Sequence, residues 1–187
     1  IMTKPFNMAL IMRSLSRGLC LFEDEEGNQQ RIGFGTLVAF AQKAVKDFID
    51  KRELLRRTRQ EIQMFTDDAT TWTKARRKLE LSGSPVYLRT DLIFGLRAGG
   101  SLGHISGVLN HLDSFTGPQL FLTTDRIPTV RPDIESRILP PPRRFWDFRE
   151  LPMIYFNEAA RLESEKYLQK KKVAFVYQRY SLNNYLG

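Results

Sequence analysis

Between Pro85 and Thr124 the chain reads PVYLRT, then a loop ending in AGGSLG, then an amphipathic run, then QLFLTT. This order of strand, glycine loop, helix and strand constrains the fold more than any other feature. Two short strands joined through a single helix form a βαβ unit, whose strands lie parallel and whose crossover is right-handed. Val86 to Thr90 carries the branched and aromatic residues of a buried strand. From about Leu102 to Leu112 the apolar residues Ile105, Val108, Leu109 and Leu112 recur at helical spacing. Gln119 to Thr123 is the second strand.

The Gly/Ser/Pro punctuation of LSGSP, residues 81 to 85, separates this unit from what precedes it. From Phe34 to about Leu81 the pattern is helical, and Thr66-Asp67-Asp68 reads as a division into two helices. Upstream, LCLFEDEEGNQQRIGF suits a hairpin or an irregular lead-in around the acidic turn from Glu23 to Asn28. After the second strand the proline- and arginine-rich RIPTVRPDIESRILPPPRRFWDFRELP is expected to run irregularly. A helix from about Leu151 to Lys170, a third strand VAFVYQ and the start of a helix at SLNNYLG follow. The expected organisation is a mainly helical extension over residues 1 to 82 and a Rossmann-like parallel α/β sheet over residues 83 to 187.

Composition narrows the function classes. The chain has 187 residues, enough for one sizeable core. No window supplies the roughly 18 to 20 apolar residues of a membrane span, and the opening lacks a signal-peptide cleavage pattern, so the expected location is cytoplasmic, with peripheral membrane contact left open. One cysteine, Cys20, and two histidines form no zinc spacing, and neither a metal nor a cofactor is expected. The net charge is +8, but residues 1 to 82 hold 15 basic and 11 acidic side chains and the remainder 14 and 10. Neither half is a basic tail, and KRELLRRTRQE mixes signs at helical spacing, so nucleic acid is not the expected partner.

A helix N-terminus presents unpaired N–H groups and the positive end of the helix dipole, and glycines let an anion approach closely. Two ligand classes, and a plain strand-to-helix turn, compete for the loop at Gly99 and Gly100. Ala98 to Gly103 approximates the dinucleotide fingerprint, and Asp125 lies where a ribose-binding acid would stand. The first glycine of that fingerprint is Ala98, however, and LIFGLRA separates the strand from the glycines.

The segments VYLRTDLIFGLRAGGSLGHISGVLNHL and VAFVYQRYSLNNYLG together resemble the N-terminal domain of GT-B glycosyltransferases of the retaining, family 4 type. Gly99, Gly100 and His104 match that family's GGxxxH-like loop, and Tyr177, Arg179, Tyr180 and Ser181 match its Y-x-R-Y-S segment. The resemblance covers about residues 85 to 187 and implies the N-terminal half of a GT-B architecture, truncated. It implies transfer of a sugar, with retention, from a nucleotide diphosphate sugar to a carbohydrate or lipid-linked acceptor. The donor would be held mainly by a second domain that the resemblance places after this segment, and the segment alone is expected to be inactive.

The resemblance assigns Gly99, Gly100, Ser101 and Arg179 to the donor phosphates, His104 to the reacting sugar, and Arg89, Asp91 and Tyr180 to the acceptor. For His104 the position at a helix start favours a neutral hydrogen-bond donor, or simply a satisfied polar residue. Arg179 suits a phosphate or a structural ion pair, and Arg89 with Asp91 suits the acceptor or an internal pair. His111 reads as a surface residue. No carboxylate pair or nucleophile with its base is recognisable. PPPRRFWDFRELP interleaves arginines with aromatics, which suits ring stacking on a ligand or anchoring of a loop to the core. Dinucleotide binding through Asp125 and a non-catalytic binding module remain the alternatives.

Overall fold

The computed structural model of the chain describes residues 4–16, 18–23, 29–72 and 81–187. The chain forms two compact units: residues 1–70 with 143–155, and residues 71–142 with 156–187. The boundary therefore differs from the one expected at residue 82, and the first unit recruits a segment from late in the chain.

In the first unit, α1 (Pro5–Leu15) is followed by strands β1 (Leu21–Glu23) and β2 (Gln29–Arg31), paired antiparallel, and by α2 (Phe34–Trp72). The hairpin expectation holds for its strands; residues 24–28 of the acidic turn and residues 73–80 lie outside the described residues. Ala9, Cys20 and Ile32 form a small core with Met12, Phe22, Leu37 and Phe40 against it. The expected division of α2 at Thr66 is absent. Thr66 donates its hydroxyl to the Ile62 carbonyl at 2.8 Å, and Gln63 bonds Asp67 at 2.9 Å. The side chains that could have capped a new helix satisfy the continuing one instead.

The PPPRRFWDFRELP segment resolves towards anchoring. Phe145 is buried with Leu54 and Leu151, and Phe148 and Tyr155 pack on them. Arg144 bonds both Asp47 and Asp50 on α2, at 2.8 and 2.7 Å. The second oxygen of the buried Asp47 accepts the Phe145 N–H at 2.6 Å, fixing a residue held at φ +66°.

The second unit contains β3 (Ser84–Arg89), α3 (Gly100–Leu109), β4 (Leu120–Thr123), β5 (Glu135–Ile138), most of α4 (Leu151–Leu168), and β6 (Val173–Gln178). Its four strands are all parallel in the order β5-β4-β3-β6, an α/β arrangement consistent with a Rossmann-like fold. Tyr87 and Phe121 face α3 and form a core with Leu102, Ile105 and Leu109. On the other face Glu135 and Arg137 of β5 pair with Lys171, just beyond α4, and with Glu163 on it, at 2.7 and 3.7 Å.

Two departures from the sequence reading have local causes. β5 forms within the stretch expected to be irregular; all four of its residues are exposed, so it carries no apolar signature. SLNNYLG is not a helix, because Asn183 adopts φ +62° and the Asn184 side chain accepts from Gln178 and from the Leu186 N–H, at 2.7 and 3.1 Å.

Two glycines give opposite predictions. Gly107 lies in α3 with open space where a Cβ would project, so Gly107→Ala should stabilise the protein by about 0.5–1 kcal/mol. A Cβ on Gly117 would meet the Gly83 carbonyl oxygen at 2.8 Å, so Gly117→Ala should destabilise it. Urea denaturation of both variants checks the pair.

Candidate functional site

In an open α/β sheet the natural binding crevice lies beyond the carboxyl ends of the strands, where the strand order reverses. Here that point falls between β3 and β6. From β3 the chain steps one way through β4 to β5, then returns across the sheet to β6. The loop leaving β3 and the segment leaving β6 therefore emerge side by side.

The β3 loop, residues 90–99, is tied down along its length. The Thr90 carbonyl accepts from Asn184 at 2.9 Å, and the Asp91 carbonyl accepts the Thr124 hydroxyl at 2.6 Å. Arg89 Nη2 donates to Asp91 Oδ1 at 3.0 Å and to the Ile93 carbonyl. The Gly95 N–H donates to Asp125 Oδ2 at 2.7 Å, with Gly95 at φ +70°. The loop delivers Gly99 in the conformation φ 121°, ψ 165°, open to glycine and strained for other residues, as the N-cap of α3. The first helical bonds to the Gly99 carbonyl come from Leu102 and Gly103, at 3.1 and 3.2 Å. The N–H groups of Gly100 and Ser101 thus stand in the first turn without an intrahelical acceptor, and a Cβ on Gly100 would meet only open space.

The two sequence segments singled out above, more than seventy residues apart, meet at this turn. His104 Nε2 lies 3.1 Å from the Tyr177 hydroxyl, and Arg179 Nη1 donates to Ser101 Oγ. Gly99, Gly100, Ser101, His104 and Arg179 are thereby brought together. Tyr180, next in the chain to Arg179, is 81% exposed. Arg89 and Asp91 resolve as an internal pair: the Arg89 side chain is fully buried and its charge is directed at the loop, so it stands behind the surface that a ligand would touch. His111 is exposed near the end of α3, as expected for a surface residue.

Sequence reasoning passed over Tyr87, although its spacing of two from Arg89 puts both on one face of the strand. The Tyr87 ring lies 5.0 Å from the Tyr177 ring, between Tyr177 and Phe121. Its hydroxyl and Arg89 Nε and Nη1 are buried without protein hydrogen-bond partners among the described residues. A polar strand residue buried at the end of a sheet was the signal available. Burial pushes the Tyr87 phenol up to about 12, with the neighbouring Tyr177 phenol adding to the shift. The hydroxyl therefore remains a donor across the neutral range.

Electrostatically the site is built from donors: two free N–H groups at a helix start, Arg179 at the surface and Arg89 beneath. Asp91 offsets Arg89, and both oxygens of Asp125 accept backbone N–H groups, from Gly95 and from Arg126 at 2.8 Å. Such an array stabilises an anionic group at the glycine turn. Among the described residues no group of three His, Cys, Asp or Glu side chains could hold a metal ion, and no helix is long and apolar enough to cross a membrane. No family model, curated protein or solved structure matches the chain.

The raised Tyr87 phenol makes stability pH-dependent. In the unfolded chain the phenol ionises near its ordinary 10.0, whereas the folded state retains the proton to about 12. Over that interval the unfolded state binds fewer protons, so stability falls as pH rises. Tyr87→Phe should flatten the fall between these two pH values, measured by urea midpoints across the alkaline range.

Proposed function

We propose that this chain is the acceptor-side portion of a GT-B-type glycosyltransferase, which moves a sugar from a nucleotide diphosphate sugar to an acceptor hydroxyl with retention. The observation that carries the reading is the pairing of His104 with Tyr177 and of Ser101 with Arg179, which joins both resembling segments around one helix start. In that reading the N–H groups of Gly100 and Ser101, with Arg179, stabilise charge developing on the leaving diphosphate as the glycosidic bond breaks. His104, oriented by the Tyr177 hydroxyl, hydrogen-bonds the reacting sugar. Arg89 is a positioning residue, holding the loop that presents the glycines. Tyr180 offers its exposed ring to the acceptor. The nucleotide is held chiefly by a second domain, and closure over the turn excludes water.

One observation favours a second reading. Asp125 follows β4, the strand beside β3, where the acid of a dinucleotide site stands. Against it, Asp125 is occupied in fixing Gly95, and ten residues separate the end of β3 from Gly100.

Transfer and hydrolysis of a panel of nucleotide diphosphate sugars by the full-length gene product distinguish the two. Wild type is compared with Gly100→Val and Arg179→Ala, folding being checked by circular dichroism. The expected result is donor turnover reduced about a hundredfold or more in both variants, the scale of losing a transition-state donor. Absence of turnover with every donor, together with nicotinamide dinucleotide binding lost on Asp125→Ala, would replace this reading with the second.

A further inference from the structure

The first unit carries a feature that the proposed reaction does not use. Along α2 the residues Phe34, Val38, Ala41, Val45 and Ile49 recur at spacings of four, three, four and four, which places them on one face of the helix. Core-side residues such as Phe40, Asp47 and Leu54 fall on the opposite face. The stripe is open: Phe34 is 81% exposed and Ile49 67%, and a shallow groove runs along Val38, Ala41, Val45 and Ile49. From Phe34 to Ile49 the stripe is about 22 Å long at the helical rise per residue. The same row continues at spacings of three, four and three into Arg52, Arg56 and Arg59, all exposed. Arg56 is held by Glu53 at 2.8 Å, while Arg52 and Arg59 extend the apolar stripe as a cationic one.

We propose that this row docks an amphipathic helix of another protein, with apolar residues every three to four positions along one half and Asp or Glu on the same face of the next turns. The charge pattern selects this occupant. A second copy laid parallel and in register sets Arg52 and Arg59 against the same arginines of the other copy. A helix laid along the row buries the exposed apolar side chains, and opposite charges fix its direction.

The test uses the whole chain and two synthetic helical peptides of identical leucine face, one continuing into glutamates and one into lysines. Fluorescence anisotropy should show the acidic peptide binding at least about tenfold more tightly than the basic one. Val45→Asp should remove that binding, and Arg52→Glu with Arg59→Glu should invert the preference. Val45 is surface-exposed, so its variant should retain the wild-type circular dichroism and melting temperature. Equal binding of both peptides, or of neither, overturns the proposal. So does a dimer in sedimentation that Val45→Asp dissociates, which assigns the row to a second copy. Binding to phosphatidylserine vesicles that Val45→Asp abolishes would likewise overturn it, in favour of a membrane.

Discussion

The second unit depends on β3 having a parallel partner on each side. Val86 to Arg89 pair with Leu120 to Thr123, and Val86 to Leu88 with Val176 to Gln178, so both edges of β3 are covered and its residues from Pro85 to Arg89 are buried. A parallel partner on each side also requires the chain to leave β3, cross over and return at the same end. The carboxyl end of β3 therefore collects the loop 90–99, the end of β4 and the end of β6. Thr90 is held by Asn184, and Asp91 and Gly95 are held by Thr124 and Asp125, so the glycine turn inherits its position from the sheet. The functional arrangement and the topology are consequences of one constraint.

The charge at this point is unevenly compensated. Among the described residues Arg89 is buried with one carboxylate neighbour, and its Nε and Nη1 lack protein hydrogen-bond partners, as does the Tyr87 hydroxyl. Burying a cation with incomplete hydrogen bonding is costly. A buried cation at the carboxyl end of β3 and the N–H groups at the start of α3 each favour an approaching anion. That electrostatic logic is common to sugar transfer and to dinucleotide binding. The proposed transferase reading adds the specific pairing of His104 with Tyr177, in which a residue of the first α/β crossover is oriented from β6.

Much of this was legible in the sequence because apolar periodicity and burial coincide where one face is solvated and the other packed. α3, with Ile105 and Leu109 inward, and β3 and β4, with unbroken apolar runs, followed their patterns. Elements decided by polar contacts were not legible. β5 is exposed throughout and held by Glu135 and Arg137, so no hydrophobic pattern announces it. The continuity of α2 through Thr66 rests on side-chain bonds that a capping sequence equally allows. The recruitment of residues 143–155 into the first unit rests on Asp47, an acidic residue whose burial beside Arg144 depends on a partner about a hundred positions away. At the glycine turn, the loop before α3 was legible from its glycines, whereas His104 and Arg179 were singled out only by the resemblance. The inward role of Arg89 depended on a loop conformation that sequence does not encode locally.

We propose that the start of α3 receives an anionic phosphate group. The most direct measurement is a titration of the labelled chain with inorganic pyrophosphate, followed through backbone amide chemical shifts and repeated at raised salt. The largest shifts should fall on the N–H groups of Gly100 and Ser101, saturate with ligand, and weaken as salt rises. Amide shifts confined to other basic surfaces, with Gly100 and Ser101 unmoved at saturation, would contradict it.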